Sequence, residues 1–253
     1  MKYYEKLIEM GCFSREELVG ITGSIAAAKS IIYDYQKKGY IERVRHNLYV
    51  TISIETHQPI LSRYQIGSRI FSDACISHHS AFEVYGYANQ VFYETYVTTG
   101  SRFADFDYGG VFYHRVASKY KNQVEVFDGI RVTSLERTVV DSINDVEKIA
   151  GLEELVRCIS LVPTLNEQKL LDVLRYYQRG VLYQKCGYLL EGMNDTLGLS
   201  KNFFDECSKN ISNSRRYLMK EWDDLVWHDK WNLYAPATIQ SLVSKGVDDY
   251  DAI

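Results

Sequence analysis

The sequence predicts an α+β fold: a small N-terminal domain of three helices and a hairpin, then a larger mixed domain. Three observations predict it. Apolar residues recur at helical spacing in KYYEKLIEMG, SREELVGI and SIAAAKSIIYDYQKKG, and YIERVRHNLYVTI follows as two strand-like arms. Strand-like runs then dominate residues 60–145. Helical spacing returns over residues 146–253.

The N-terminal elements are punctuated in order. Gly11 closes the first helix. Ser14 and Glu17 form an S-x-x-E capping box, with Phe13 placed to staple Leu18. Gly20 to Gly23 mark a tight turn, Ser24 caps the third helix, and Gly39 stands where a left-handed residue ends it. On a helical wheel, Ile25, Ala28, Ile32 and Tyr35 gather on a core face. Ala26, Ala27, Ser30, Tyr33 and Lys37 lie opposite, with Lys29 at the flank. Leu48, Val50, Ile52 and Ile54 then alternate with Tyr49, Thr51 and Ser53 as a half-buried strand, and Asn47 tolerates the left-handed backbone of a hairpin turn. This order, over residues 1–54, is the winged helix-turn-helix layout.

The layout gives these side chains a chemical reading. Small residues in the first turns of the outer face let a helix backbone approach base edges in a major groove. Ser30 and Tyr33 carry hydrogen-bonding groups for bases or phosphates, and Lys29 and Lys37 suit phosphates. Arg43 and Arg45, beside His46 and Asn47, form a basic hairpin tip suited to phosphate or minor-groove contacts. A solvated face explains any single residue of the third helix at least as readily, and an ordinary solvated turn is the plain alternative for the hairpin tip. The fold prediction tips Arg43 and Arg45 toward nucleic acid.

Glu55 to Pro59 reads as a linker, because Pro59 forces the preceding residue out of helical geometry. The second domain spans residues 60–253. Helices are predicted at ILSRYQIGSRIF and ISHHSAFEVYG, and strands at VFYETYVTTG, GGVFYHRV and VEVFDGIRVTS. Asp128-Gly129 in the last run is a hairpin signal. Thr133 and Glu136 read as a second capping box, opening a helix through Val140. EELVRCISLV, EQKLLDVLRYYQRG, VLYQKCGYLLEGM and SKNFFDECSKN are helical, WNLYAP is a short β return, and TIQSLVSKG a terminal helix.

Composition narrows the class. With 253 residues, 46% hydrophobic and 25% charged, the chain reads as a soluble two-domain protein. Net charge is −4, but residues 1–50 hold eight basic and six acidic groups, so the acidity lies in the remainder. Such a protein does not coat DNA indiscriminately. Binding needs local basic patches and weakens steeply with salt. The five cysteines are scattered with no C-x-x-C pair, so neither a zinc site nor a disulfide framework is indicated. No apolar run reaches the ~18 residues of a membrane span. The N-terminus turns amphipathic at once, unlike a signal peptide, and the expected location is cytoplasmic.

Four stretches together resemble one family: the N-terminal helices ending in RHNLYV, then ISHHSAFEVYGY, VTSLERTVVDSI, and VLYQKCGYLLE with SRRYL. The chain is similar to AbiEi-family antitoxins of bacterial abortive-infection, type IV toxin–antitoxin systems. Asn47 stands where that family's wing usually carries Gly, and both support a left-handed turn. The resemblance implies a phage-resistance role and a transcriptional repressor that binds inverted repeats in its own promoter DNA, often cooperatively. It implies opposition to a cognate nucleotidyltransferase toxin, usually without stable contact, and a C-terminal domain that carries antitoxicity and supports self-association. Homodimerisation on DNA is expected, with no membrane partner, no cofactor and no enzymatic activity. Carried onto this chain, the DNA-contact candidates are Lys29, Ser30, Tyr33, Lys37, Arg43 and Arg45.

Two other readings stand beside this one. Gly100-Ser101 followed by Asp105 and Asp107 is faintly similar to a nucleotidyltransferase signature, in which paired carboxylates hold Mg²⁺. The spacing leaves no room for an intervening helix, so a polar loop is simpler. A winged-helix protein-interaction module is the other alternative. His78-His79 point about 100° apart on a helix and lack an acidic partner at ligand spacing, which favours a capping or core-edge role. Asp141 pairs with Arg137 four residues earlier. Tyr176, Tyr177, Tyr183 and Tyr188 read as packing, and Arg215-Arg216 as either a second basic patch or a solvated pair.

Overall fold

Helix caps written in the sequence set the N-terminal elements. The computed structural model describes residues 2–219 and 224–239. These form helices α1 (Tyr4–Met10), α2 (Arg15–Thr22) and α3 (Ile25–Lys37), with strands β1 (Cys12–Phe13), β2 (Ile41–Arg45) and β3 (Leu48–Thr51). The Ser14 hydroxyl accepts from Glu17 N–H while the Glu17 carboxylate accepts from Ser14 N–H, the reciprocal box the sequence predicts. Ser24 caps α3 by accepting from Ala27 N–H. The turn between α2 and α3 is shorter than expected: Gly20 stays helical, and only Gly23 is left-handed, at φ 78°.

Ala28, Ile32 and Tyr35 are buried with Leu7, Phe13, Leu18 and Tyr49 in one apolar cluster. Ile25 is a correction. It shares their stripe but is 61% exposed, because it sits at the first position of α3, beyond the elements that cover the rest. The strand expected to be half-buried is buried at every position of β3, the central strand in a sheet of order β1-β3-β2. It ends at Thr51, and Ile54 is exposed.

The described chain falls into two units built from non-contiguous stretches. Unit 1 holds residues 1–76, 92–119 and 126–131. Besides the N-terminal elements it contains α4 (Arg63–Gly67), β4 (Cys75–Ile76), β5 (Glu94–Thr99), β6 (Phe106–Tyr108) and β7 (Val111–Ala117). β4 and β5 pair antiparallel, β5 and β7 parallel, β6 and β7 antiparallel. The helix expected over 60–71 contracts to α4, where the Ser68 hydroxyl donates to the Gln65 carbonyl and ends it. The hairpin of β8 (Val124–Phe127) and β9 (Ile130–Thr133) carries the chain onward, turning through Asp128 and Gly129, both at positive φ as Asp-Gly predicts.

Unit 2 holds residues 77–91, 120–125 and the chain from 132 on. Its helices are α5 (His78–Tyr85), α6 (Leu135–Asn144), α7 (Leu152–Ser160), α8 (Glu167–Tyr177), α9 (Gly180–Gly192), α10 (Asn194–Leu197) and α11 (Lys201–Lys209). A small sheet of β10 (Arg216–Tyr217), β11 (Val226–His228) and β12 (Leu233–Ala235) joins them, and β12 is the return expected at WNLYAP. The cap of α6 is Ser134 rather than Thr133, and Glu136 turns away from the cap to accept from Asn166 N–H. Phe82, Val140, Leu155, Leu174, Leu189 and Phe203 represent the core. The terminal helix expected at TIQSLVSKG lies, beyond Ile239, outside the described residues. Among the described residues, no helix is long and apolar enough to cross a membrane.

Candidate nucleic-acid interface

The α3 face opposite the apolar cluster is open to solvent. Lys29, Ser30, Tyr33 and Lys37 are all exposed, Tyr33 at 68%, and Ala26 joins them while Ala27 is half-buried. Residues 29, 33 and 37 are spaced by four, and Ser30 falls three before Tyr33, so the four share one stripe. Neither lysine has a carboxylate partner among the described residues.

The β2–β3 hairpin supplies the second part. Its tip is held, not loose. Asn47 takes φ 60°. Its Oδ1 accepts from Arg15 N–H at 3.1 Å, and its Nδ2 donates to the Glu16 carboxylate at 2.5 Å. One residue therefore makes the turn and ties it to the first turn of α2. The hydrogen bond from Asn47 holds the exposed Glu16 carboxyl below its ordinary value of 4.5.

The two arginines of the tip differ. Arg43 is exposed, and its Nε donates to the Arg45 carbonyl at 3.3 Å. Arg45 turns back into an aromatic nest, its guanidinium 5.1 Å from the Phe71 ring centre, 5.2 Å from Phe103 and 5.8 Å from Phe106. Burial there lowers its pKa. Arg45 also borders a cleft of about 780 Å³ within unit 1, with Arg69, Arg131, His46 and Asn47 on its walls. Arg69 donates to the Met10 carbonyl at 2.6 Å, and Arg131 donates to the Ser72 carbonyl. The structure thus groups Lys29, Ser30, Tyr33 and Lys37 on one helix face and leaves Arg43 open. Arg45 is spent on packing as much as on charge. Arg69 and Arg131 each lie in a stretch with no local basic pattern, so the sequence alone does not mark them.

The catalytic-looking residues have structural employment. Asp73 accepts from Thr99 Oγ1 at 2.7 Å, Gly100 N–H at 2.8 Å and Ser101 Oγ at 3.3 Å. The Gly100 N–H and Ser101 hydroxyl that a phosphate would need are therefore turned onto a carboxylate, and the Ser101 N–H donates to Thr99 Oγ1. Burial raises the Asp73 pKa, but these donors outweigh it and the net shift is downward. Asp105 accepts from Arg115 N–H at 2.8 Å and contacts His114 Nδ1 at 3.1 Å, while Asp107 is exposed on β6.

In unit 2, Arg137 and Asp141 pair as expected, at 3.2 Å and fully buried, and Tyr177 donates to Asp141 at 2.6 Å. Burial raises the Asp141 pKa. Tyr183 and Tyr188 are buried, in keeping with a packing role, whereas Tyr176 is exposed and stacks on Tyr120 at 4.1 Å. The reading of His79 needs correction. It does have acidic neighbours: Glu83 one helical turn on and Glu154 from α7, each at 3.1 Å. The first is an H-x-x-x-E spacing that was open to inspection; the second is long-range.

Residues 73–192 match the family model described as the AbiEi antitoxin C-terminal domain. No curated protein matches the chain.

Proposed function

The chain belongs to the AbiEi antitoxin family through residues 73–192, and on that premise we propose that it is also the repressor of its own toxin–antitoxin operon. In this reading α1–α3 with β1–β3 form a winged helix-turn-helix. α3 enters the major groove, and the hairpin lies along the adjacent backbone. Ser30 and Tyr33 meet base edges or phosphates, and Lys29, Lys37 and Arg43 meet phosphates. Arg45 braces the hairpin from behind and reaches DNA only at the nest's edge. Two copies bind an inverted repeat, because one short helix reads only a few base pairs. The toxin opposed is a nucleotidyltransferase, countered in the cytoplasm without stable contact.

One observation carries this reading: an exposed face of α3 whose lysines have no ion-pair partners among the described residues, beside a hairpin anchored by Asn47. Unpaired cations on a rigid convex ridge are what counterion release from DNA requires. The test is a gel shift with the DNA upstream of the gene against a scrambled fragment of equal length. Preference for the native fragment is the expected result, with affinity for both fragments weakened in Lys29→Ala, Arg43→Ala protein. Equal affinity for both fragments contradicts it. Co-expression with the neighbouring toxin gene tests the antitoxin arm separately.

A further inference from the structure

The geometry points to a buried site for one divalent cation of the zinc class in unit 2, ligated by His79, Glu154 and Cys158. Two helices supply it by the same device. α5 places His79 and Glu83 one turn apart, and α7 places Glu154 and Cys158 one turn apart, so each pair shares a helix face. His79 Nε2 lies 3.1 Å from Glu154 Oε1, and Cys158 Sγ lies 3.5 Å from the same oxygen. One ligand atom from each of the three falls within 4.8 Å of the others. Ligands bound to zinc at about 2.0–2.3 Å in a tetrahedron stand roughly 3–4 Å from one another. The cluster is dry: His79 is 2% exposed, Glu154 5% and Cys158 0%.

Two further features favour a cation over a plain hydrogen-bonded network. Glu154 Oε2 is buried and meets no hydrogen-bond donor among the described residues. A buried carboxylate oxygen left so is costly, and a bidentate carboxylate would use it as the fourth donor. Second, His79 Nδ1 faces Glu83 Oε1 at 3.1 Å. A carboxylate on the far ring nitrogen is the usual orienting contact behind a metal-bound histidine, and it leaves Nε2 to bind. Mixed sulfur, nitrogen and oxygen donors suit zinc rather than magnesium or calcium. Charge balances on entry. The cation replaces the proton held between His79 Nε2 and Glu154, and the Cys158 thiol releases its own. Two protons leave for one doubly charged ion. Three protein ligands, with the second Glu154 oxygen able to lean toward the fourth position, let the bound ion clamp α5 to α7. The absence of any C-x-x-C pair does not speak against it, because the ligands come from distant helices.

The experiment uses the full-length, untagged protein after chelation, titrated with cobalt(II) and then zinc(II). The expected result is one cobalt per chain with a thiolate-to-cobalt charge-transfer band, displaced by zinc, and a zinc-dependent rise of several degrees in Tm. Cys158→Ser loses the band and the rise. Glu83→Gln keeps the band but binds about 10–100-fold more weakly. Circular dichroism of the chelated variants checks their folding, and Glu83→Gln carries the test should Cys158→Ser not fold. No band in the wild type, or an equal zinc-dependent rise in folded Cys158→Ser, overturns the site and leaves a hydrogen-bonded core cluster.

Discussion

Asn47 and Arg45 sit two residues apart on the hairpin and do different work, which mutation separates. Asn47→Ala places a Cβ-bearing residue with no compensating amide at φ 60°, costing about 1 kcal/mol from backbone strain. Asn47→Gly keeps the backbone and removes both side-chain tethers, to Arg15 N–H and to the Glu16 carboxylate. Its effect is read from pH. The folded Glu16 pKa lies below 4.5, so the tether contributes stability above that value and loses it as pH falls through the folded pKa. In Asn47→Gly protein the Glu16 carboxyl should titrate at higher pH by carbon NMR; an unchanged titration contradicts the tether. Arg45→Ala removes a cation from three rings and should cost about 1–2 kcal/mol in urea unfolding, whereas Arg43→Ala should stay within about 0.5 kcal/mol. At this scale the sequence declares local devices well. The Ser14–Glu17 box, the Ser24 cap and the Asn47 turn each depend on neighbours a few residues away. The fate of Arg45 was not legible, because its nest comes from Phe71, Phe103 and Phe106.

Among elements, α9 shows how close packing constrains a helix that is apolar on most sides. Gly187 lets the Trp231 ring lie against the helix backbone, and a Cβ there would run into that ring. Gly187→Ala should therefore destabilise the protein by about 1–3 kcal/mol, measured by urea unfolding. Wild-type stability in this variant would show that the ring has room to move. Helical spacing identified α8 and α11 because each buries one stripe and leaves another wet. It overran at 60–71, where only a single capped turn is helical. It misjudged β3, whose four residues are all buried, because what covers a strand's second face comes from tertiary folding.

For the molecule as a whole, the family match covers residues 73–192 and so spans parts of both units. The units interleave along the chain, which a linear pass over composition has no means of seeing. The clustering of Lys29, Ser30, Tyr33 and Lys37 was legible from helical period alone. The convergence of Arg69 and Arg131 on the same cleft as Arg45 was not, since it arises from tertiary folding. The proposed repressor role places two copies on one operator. Sedimentation with a full inverted repeat should give two chains per duplex, and a half-site should give one with weaker binding; one chain on the full repeat would contradict paired recognition.

In the proposed complex the open face of α3 and Arg43 neutralise DNA phosphates. The direct measurement is operator affinity across a range of salt concentrations for wild type and for Lys29→Ala, Lys37→Ala, Arg43→Ala protein. Each lost phosphate contact should lower the slope of log K against log salt by about 1, so the triple variant should bind weakly with a slope shallower by about 3. Parallel lines with equal affinity, from a variant that folds normally, would contradict the account.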